Sequence, residues 1–156
     1  MKAVLQRVTE ASVTVDHKNV GSGGRGFLIL LGVEKGDGEA EAELLAAKIA
    51  RLRVFQDEAG KMNRSLSDIG GSLLVVSNFT LCADCRHGNR PDFLRAEAPA
   101  EADRLYRFFT DRVAALSGCQ AETGVFGADM AVRLTNDGPV TILLDTADLK
   151  RRRTDP

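Results

Sequence analysis

Phe27-Leu28-Ile29-Leu30-Leu31 and Leu73-Leu74-Val75-Val76 are uninterrupted apolar runs with glycine or polar residues near each end. Runs of this length read as strands covered on both faces, the centre of a sheet. Upstream of the first, Ser12-Val13-Thr14-Val15 alternates with period two and Asp16 to Asn19 supplies turn residues, so residues 3 to 33 read as successive strands. Gly21, Gly23, Gly24 and Gly26 punctuate that stretch without forming a phosphate-binding fingerprint ahead of a helix, which assigns them to turns and tight packing.

From Glu39 to Arg53 the apolar residues Ala42, Leu45, Ile49 and Leu52 share one helical face. A strand-like Arg53-Val54-Phe55-Gln56 follows, then a polar connection through Gly60. Pro99 is placed to open a second helix, which Leu105, Phe108, Phe109, Val113 and Leu116 make amphipathic and Gly118 ends. Met130 to Thr135 and Val140 to Asp145 read as two closing strands. The expected fold class is α+β: a single domain with a largely antiparallel or mixed sheet covered by two main helices, and no internal repeat or linker.

The 156 residues are enough for one core, and 21 Lys plus Arg against 22 Asp plus Glu give a net charge of -1 that announces no polyanion partner. Any RNA contact must come from a local patch. The cluster Lys150-Arg151-Arg152-Arg153 reads as a solvated tail near the C-terminus. No apolar stretch approaches a membrane span or a signal peptide, so a cytoplasmic protein without membrane contact is expected. Three cysteines point to reduced thiols.

Two segments carry candidate chemistry. Ser77-Asn78-Phe79-Thr80-Leu81 leaves the second central strand, where backbone N–H groups lose their ladder partners and can face a ligand as an oxyanion site; the same hydroxyl residues can equally serve to terminate a strand. A nucleophile there would need a base, and only His17, in an expected turn, and His87, in the Arg86-His87-Gly88-Asn89-Arg90-Pro91 loop, exist. Cys82-Ala83-Asp84-Cys85 with His87 has the look of a metal half-site or redox pair, but Cys119 offers no matching half and no helix start follows; structural cysteines fit better. In the second segment, Asn136-Asp137-Gly138-Pro139-Val140-Thr141, a turn signal runs directly into a proline that removes a strand donor and permits a cis bond.

These two segments, together with Gln6-Arg7-Val8, Leu31-Gly32-Val33-Glu34-Lys35, Gly60-Lys61-Met62-Asn63, Arg90-Pro91-Asp92-Phe93 and Ala128-Asp129-Met130, resemble the D-aminoacyl-tRNA deacylase family in order and spacing. The resemblance runs from residue 1 to about residue 146, giving an expected deacylase domain over 1–147 and a basic tail over 148–156. It implies hydrolysis of the ester joining a D-amino acid, or glycine, to tRNA, with L-aminoacyl groups rejected sterically. It implies a homodimer whose active site lies at the subunit boundary and takes the 3′ end of aminoacyl-tRNA. On that basis Ser77, Phe79 and Thr80 are the catalytic residues, and Arg7, Asn78, Phe93, Met130, Gly138 and Pro139 bind substrate. The family uses no metal or organic cofactor, and its chemistry leans on the terminal ribose 2′-OH. The family usually has Gln where this chain has Asn78. Two other classes fit the residues less fully: a silent tRNA-end binding module, and a thiol or zinc protein built on Cys82, Cys85 and His87.

Overall fold

Strand β1 (Lys2–Val15) is the spine of the sheet. Strand β8 (Ala131–Asp145) runs antiparallel along one side of it, while the other side pairs first with β3 (Gly26–Gly32) and then with β2 (Lys18–Gly23), both antiparallel. Strands β6 (Ser72–Ser77) and β7 (Ala121–Thr123) extend β3 in parallel, which makes the six-stranded sheet mixed. Asp16 and His17 join β1 to β2 with φ of 48° and 64°, the backbone of a type I′ hairpin. The sheet curls until β2 meets β7, where the Ser22 N–H donates to Glu122 Oε2 at 2.7 Å. A Cβ on Gly21 would lie 2.3 Å from the Thr123 carbonyl oxygen, so only glycine permits this approach. A small hairpin, β4 (Phe55–Gln56) with β5 (Met62–Arg64), stands apart from the main sheet.

Helices α1 (Glu39–Ala50) and α2 (Pro99–Ser117) cover one face. Leu45 and Ile49 of α1 and Leu105 and Phe109 of α2 join the core formed with Leu5, Ile29 and Val75; each such side chain contributes about 1.5–3 kcal/mol by leaving water. Helix α2 begins on Pro99 and ends at Gly118 with φ of 65°, as its sequence signals require. Helix α1 stops short of the expected Arg53. The Arg51 and Leu52 N–H groups tighten onto the Lys48 and Ile49 carbonyls at 3.3 and 3.2 Å, and the chain then turns into β4.

The other face of the sheet is thinly covered: Leu28, Leu74 and Val76 pack with Val8 and Val13 under Met130 and Val132. Sequence reading expects two closing strands divided by a turn, but β8 does not reverse. Both of its halves pair with β1, and between Val8↔Asn136 and Gln6↔Thr141 two steps along β1 face five along β8. The segment 137–140 therefore bulges out of a continuous strand.

The computed structural model describes residues 1–151. Asp145 caps a last short helix, α3 (Thr146–Lys150), by accepting the Ala147 N–H at 2.9 Å, and Lys150 pairs with Glu41 on α1. The expected domain boundary at residue 147 falls inside α3, and the tail residues 152–156 lie outside the described residues. No described helix is long and apolar enough to cross a membrane.

Candidate active site

The last ladder bond of β6 is made just beyond its end, where the Asn78 N–H donates to the Leu31 carbonyl at 2.8 Å. The chain then folds into a single 3₁₀ turn, Phe79–Cys82. Phe79 therefore has the first amide beyond the sheet, and its N–H has no hydrogen-bond partner among the described residues. Thr80 differs. Asn78 Oδ1 accepts the Thr80 N–H at 3.2 Å and its hydroxyl as well, a local Asx cap. Asn is short enough to close this loop back onto the residue two positions on, so the structure gives Asn78 a job within its own chain.

Beside this turn the thinly covered face opens into a cleft of about 750 Å³. Ser77, Asn78, Phe79, Thr80 and Met130 line it together with apolar side chains such as Leu28, Leu30 and Val76. Phe79 is 57% exposed, and Phe93 meets it edge to face with ring centroids 5.2 Å apart, which ties the 84–94 loop to the cleft.

Four nominated residues stand outside this lining: Phe93, which reaches the cleft only through its contact with Phe79, and Arg7, Gly138 and Pro139. Arg7 is buried, and its guanidinium forks to two carbonyls, with Nε donating to Asp137 O at 2.8 Å and Nη1 to Val54 O at 2.6 Å. It thereby braces the 137–140 bulge against the segment entering β4. The Gly138-Pro139 bond is cis, and both residues are exposed. Gly138 has φ of 146°, and a Cβ there would lie 2.7 Å from the Val140 nitrogen, so the bulge requires glycine.

Neither His17 nor His87 lines the cleft, so one chain assembles no serine- or threonine-histidine pair there. Cys82 is buried and points its thiol at the Val33 carbonyl, 3.5 Å away, and burial pushes that thiol up, away from the thiolate that redox chemistry needs. Cys85 is exposed. In the same loop, the hydrogen-bonded Arg86 guanidinium holds the Asp84 carboxyl at about 2.

Sequence reading passed over two residues inside the blocks it quoted. Gln6 lines the cleft, and Asn136 closes the bulge. Asn136 Oδ1 accepts the Val140 N–H at 2.7 Å while its Nδ2 donates to the Val140 carbonyl at 3.0 Å, so one side chain stands in for a missing peptide partner. The available signal was alternation: Ala3 and Leu5 face the helices, which sends Gln6 to the cleft face.

A sequence model of the family described as D-Tyr-tRNA(Tyr) deacylase matches residues 4–145. The chain belongs to this family of aminoacyl-tRNA hydrolases. It is 61% identical over 145 residues to a D-aminoacyl-tRNA deacylase of Ruegeria pomeroyi, an alignment that covers 93% of this chain and 99% of the relative. With a D-aminoacyl-tRNA deacylase of Thermomicrobium roseum it shares 60% identity over 96% of this chain and 97% of the relative. A solved structure of a c-Myc DNA unwinding element binding protein superposes with a TM-score of 0.87 at 42% identity, covering 93% of this chain and 98% of the other.

Proposed function

We propose that this protein hydrolyses the ester linking a D-amino acid, or glycine, to the 3′ end of tRNA, and that it acts in the cytoplasm as a homodimer with its active sites at the subunit boundary. The observation that carries the reading is the family match over residues 4–145, on a chain whose strand-end cleft offers an unpaired amide. In this reading the Phe79 N–H receives the developing oxyanion, where a fixed dipole in a partly dry cleft is most effective. Ser77 and Thr80 hold the turn that aims it. Asn78 keeps Thr80 in place, while Met130 and Phe93 flank the aminoacyl group. No histidine lies in the cleft, which favours the substrate's own ribose 2′-OH as the group that positions or activates water.

Gly138 and Pro139 of the second subunit complete the site, with Arg7 bracing them. Their exposure, their absence from the lining of their own chain's cleft, and the exposed Leu134 and Leu143 on β8 support this arrangement. Carbonyls of that bulge, facing the substrate Cα, leave room for hydrogen but not for a side chain. An L-residue clashes, a D-residue points its side chain outward, and glycine enters freely.

The reading is tested with two variants that are each inactive alone: Phe79→Pro, which lacks the amide proton, and Gly138→Ala. Release of D-tyrosine from D-tyrosyl-tRNA at sub-stoichiometric wild-type enzyme is the reference. Mixed in equal amounts and re-equilibrated, the variants should recover about a quarter of wild-type activity, because half the dimers carry one intact site of two. No recovery would mean that each site is built within one subunit.

A further inference from the structure

Gln6 is a polar residue of the cleft lining that has no role in the chemistry described above. Gln6 stands opposite Leu28 on β3 and Thr141 on β8, and its side chain lines the cleft. Which end of its amide faces inward follows from a relay of donors. The Val140 N–H is a backbone group that can only donate, and it donates to Asn136 Oδ1 at 2.7 Å. This makes Nδ2 the donor end of Asn136, which reaches Gln6 Oε1 at 2.6 Å. The Thr141 hydroxyl donates to the same Oε1 at 2.6 Å. Both acceptor positions of Gln6 Oε1 are thus filled by β8, and Nε2 is left with two N–H donors and no partner among the described residues. Nε2 is not sealed in the interior: among the described residues it is not one of the buried side-chain atoms that lack a hydrogen-bond partner.

We infer that Gln6 is a substrate-binding residue whose Nε2 donates a hydrogen bond to an oxygen of the aminoacyl-ribose ester, in an orientation fixed by Asn136. The inference rests on the deacylase reading of the cleft. An amide with its oxygen tied down on one side presents its donors without reorganisation, which is what a pre-formed binding group requires. Asn136 also closes the bulge that carries Gly138, so one side chain sets both a chain's own cleft donor and the element offered to its partner.

The test uses Gln6→Glu in the full chain. This change keeps an oxygen that accepts from Asn136 and Thr141 and replaces the inward N–H donors with a carboxylate oxygen, which also brings a negative charge. Three measurements are made on wild type and variant: hydrolysis of D-tyrosyl-tRNA, calorimetric binding of a non-hydrolysable amide-linked D-tyrosyl-adenosine, and urea unfolding. The expected result is an unchanged unfolding midpoint with binding and kcat/KM each reduced about tenfold or more, the scale of one lost hydrogen bond to a polar ligand. Asn136→Asp provides the same readout should the first variant not fold: with no donor at position 136, the Gln6 amide flips and turns its oxygen inward, and the same loss is expected. Hydrolysis and binding within about threefold of wild type in a folded variant would overturn the inference. A wild-type protein that neither hydrolyses the ester nor binds its amide would instead overturn the deacylase reading, and this inference with it.

Discussion

Replacing Arg7 should damage both stability and catalysis, and the two losses can be measured separately. Arg7 is 5% exposed, and its guanidinium forks between Asp137 O and Val54 O at 2.8 and 2.6 Å. Hydrogen bonds from a charged donor contribute about 1.5–3 kcal/mol each, so the gross loss is about 3–6 kcal/mol. Relief of the buried charge offsets part of it, leaving about 2–4 kcal/mol for Arg7→Met, a large share of the roughly 5–15 kcal/mol of a typical domain. Arg7→Lys should recover no more than about half, because an ammonium cannot reach two carbonyls in a fixed fork. Urea unfolding measures the first loss. Single-turnover hydrolysis, under conditions where each variant is fully folded, measures the second, which should exceed about a hundredfold because the 137–140 bulge loses its brace. An Arg7→Met protein within about 0.5 kcal/mol of wild type, with unchanged turnover, would refute the bracing role.

Thr80→Val should slow hydrolysis by about tenfold or less, since the hydroxyl is already given to Asn78; a threonyl ester trapped in a quenched reaction would make Thr80 a nucleophile instead. Tyr106 donates to the Val75 carbonyl at 2.8 Å, and burial pushes its hydroxyl from 10.0 up to about 12. A raised folded-state value means that its stabilising contribution is complete below pH 10 and is lost as pH rises toward about 12; ultraviolet titration of this lone tyrosine checks it, and Tyr106→Phe should lose about 1 kcal/mol at neutral pH and abolish the alkaline step. Cys82→Ala and Cys85→Ser should each keep activity within about threefold, and a loss beyond about tenfold would revive a thiol mechanism.

What could be read from the chain was mostly local. Pro99 and Gly118 mark the ends of α2 through backbone geometry that those two residues fix themselves, and Asp16-His17 lies where the alternation of β1 breaks. The bulge at 137–140 could not be read this way. Asp137-Gly138 is a turn signal at short range, while its continuation as one strand is decided by pairing with β1, some 130 residues earlier. The same distance hides the role of Arg7, whose partners Val54 and Asp137 are remote in sequence. Strand β7 is only three residues long and gains its identity from its neighbour β6. Within the site, Ser77 to Thr80 could be located but their hydrogen bonds could not: the spacing allows either Thr80 or Phe79 a free amide, and the Asn78 cap decides for Phe79.

The central claim is chirality imposed by a rigid bulge rather than by fit to a side chain, and rates on matched substrates test it directly. Single-turnover hydrolysis of D-tyrosyl-, D-aspartyl-, glycyl- and L-tyrosyl-tRNA by the wild-type protein should give comparable rates for the two D-esters, measurable cleavage of the glycyl ester, and none of the L-tyrosyl ester. Comparable cleavage of L- and D-tyrosyl-tRNA would contradict the account.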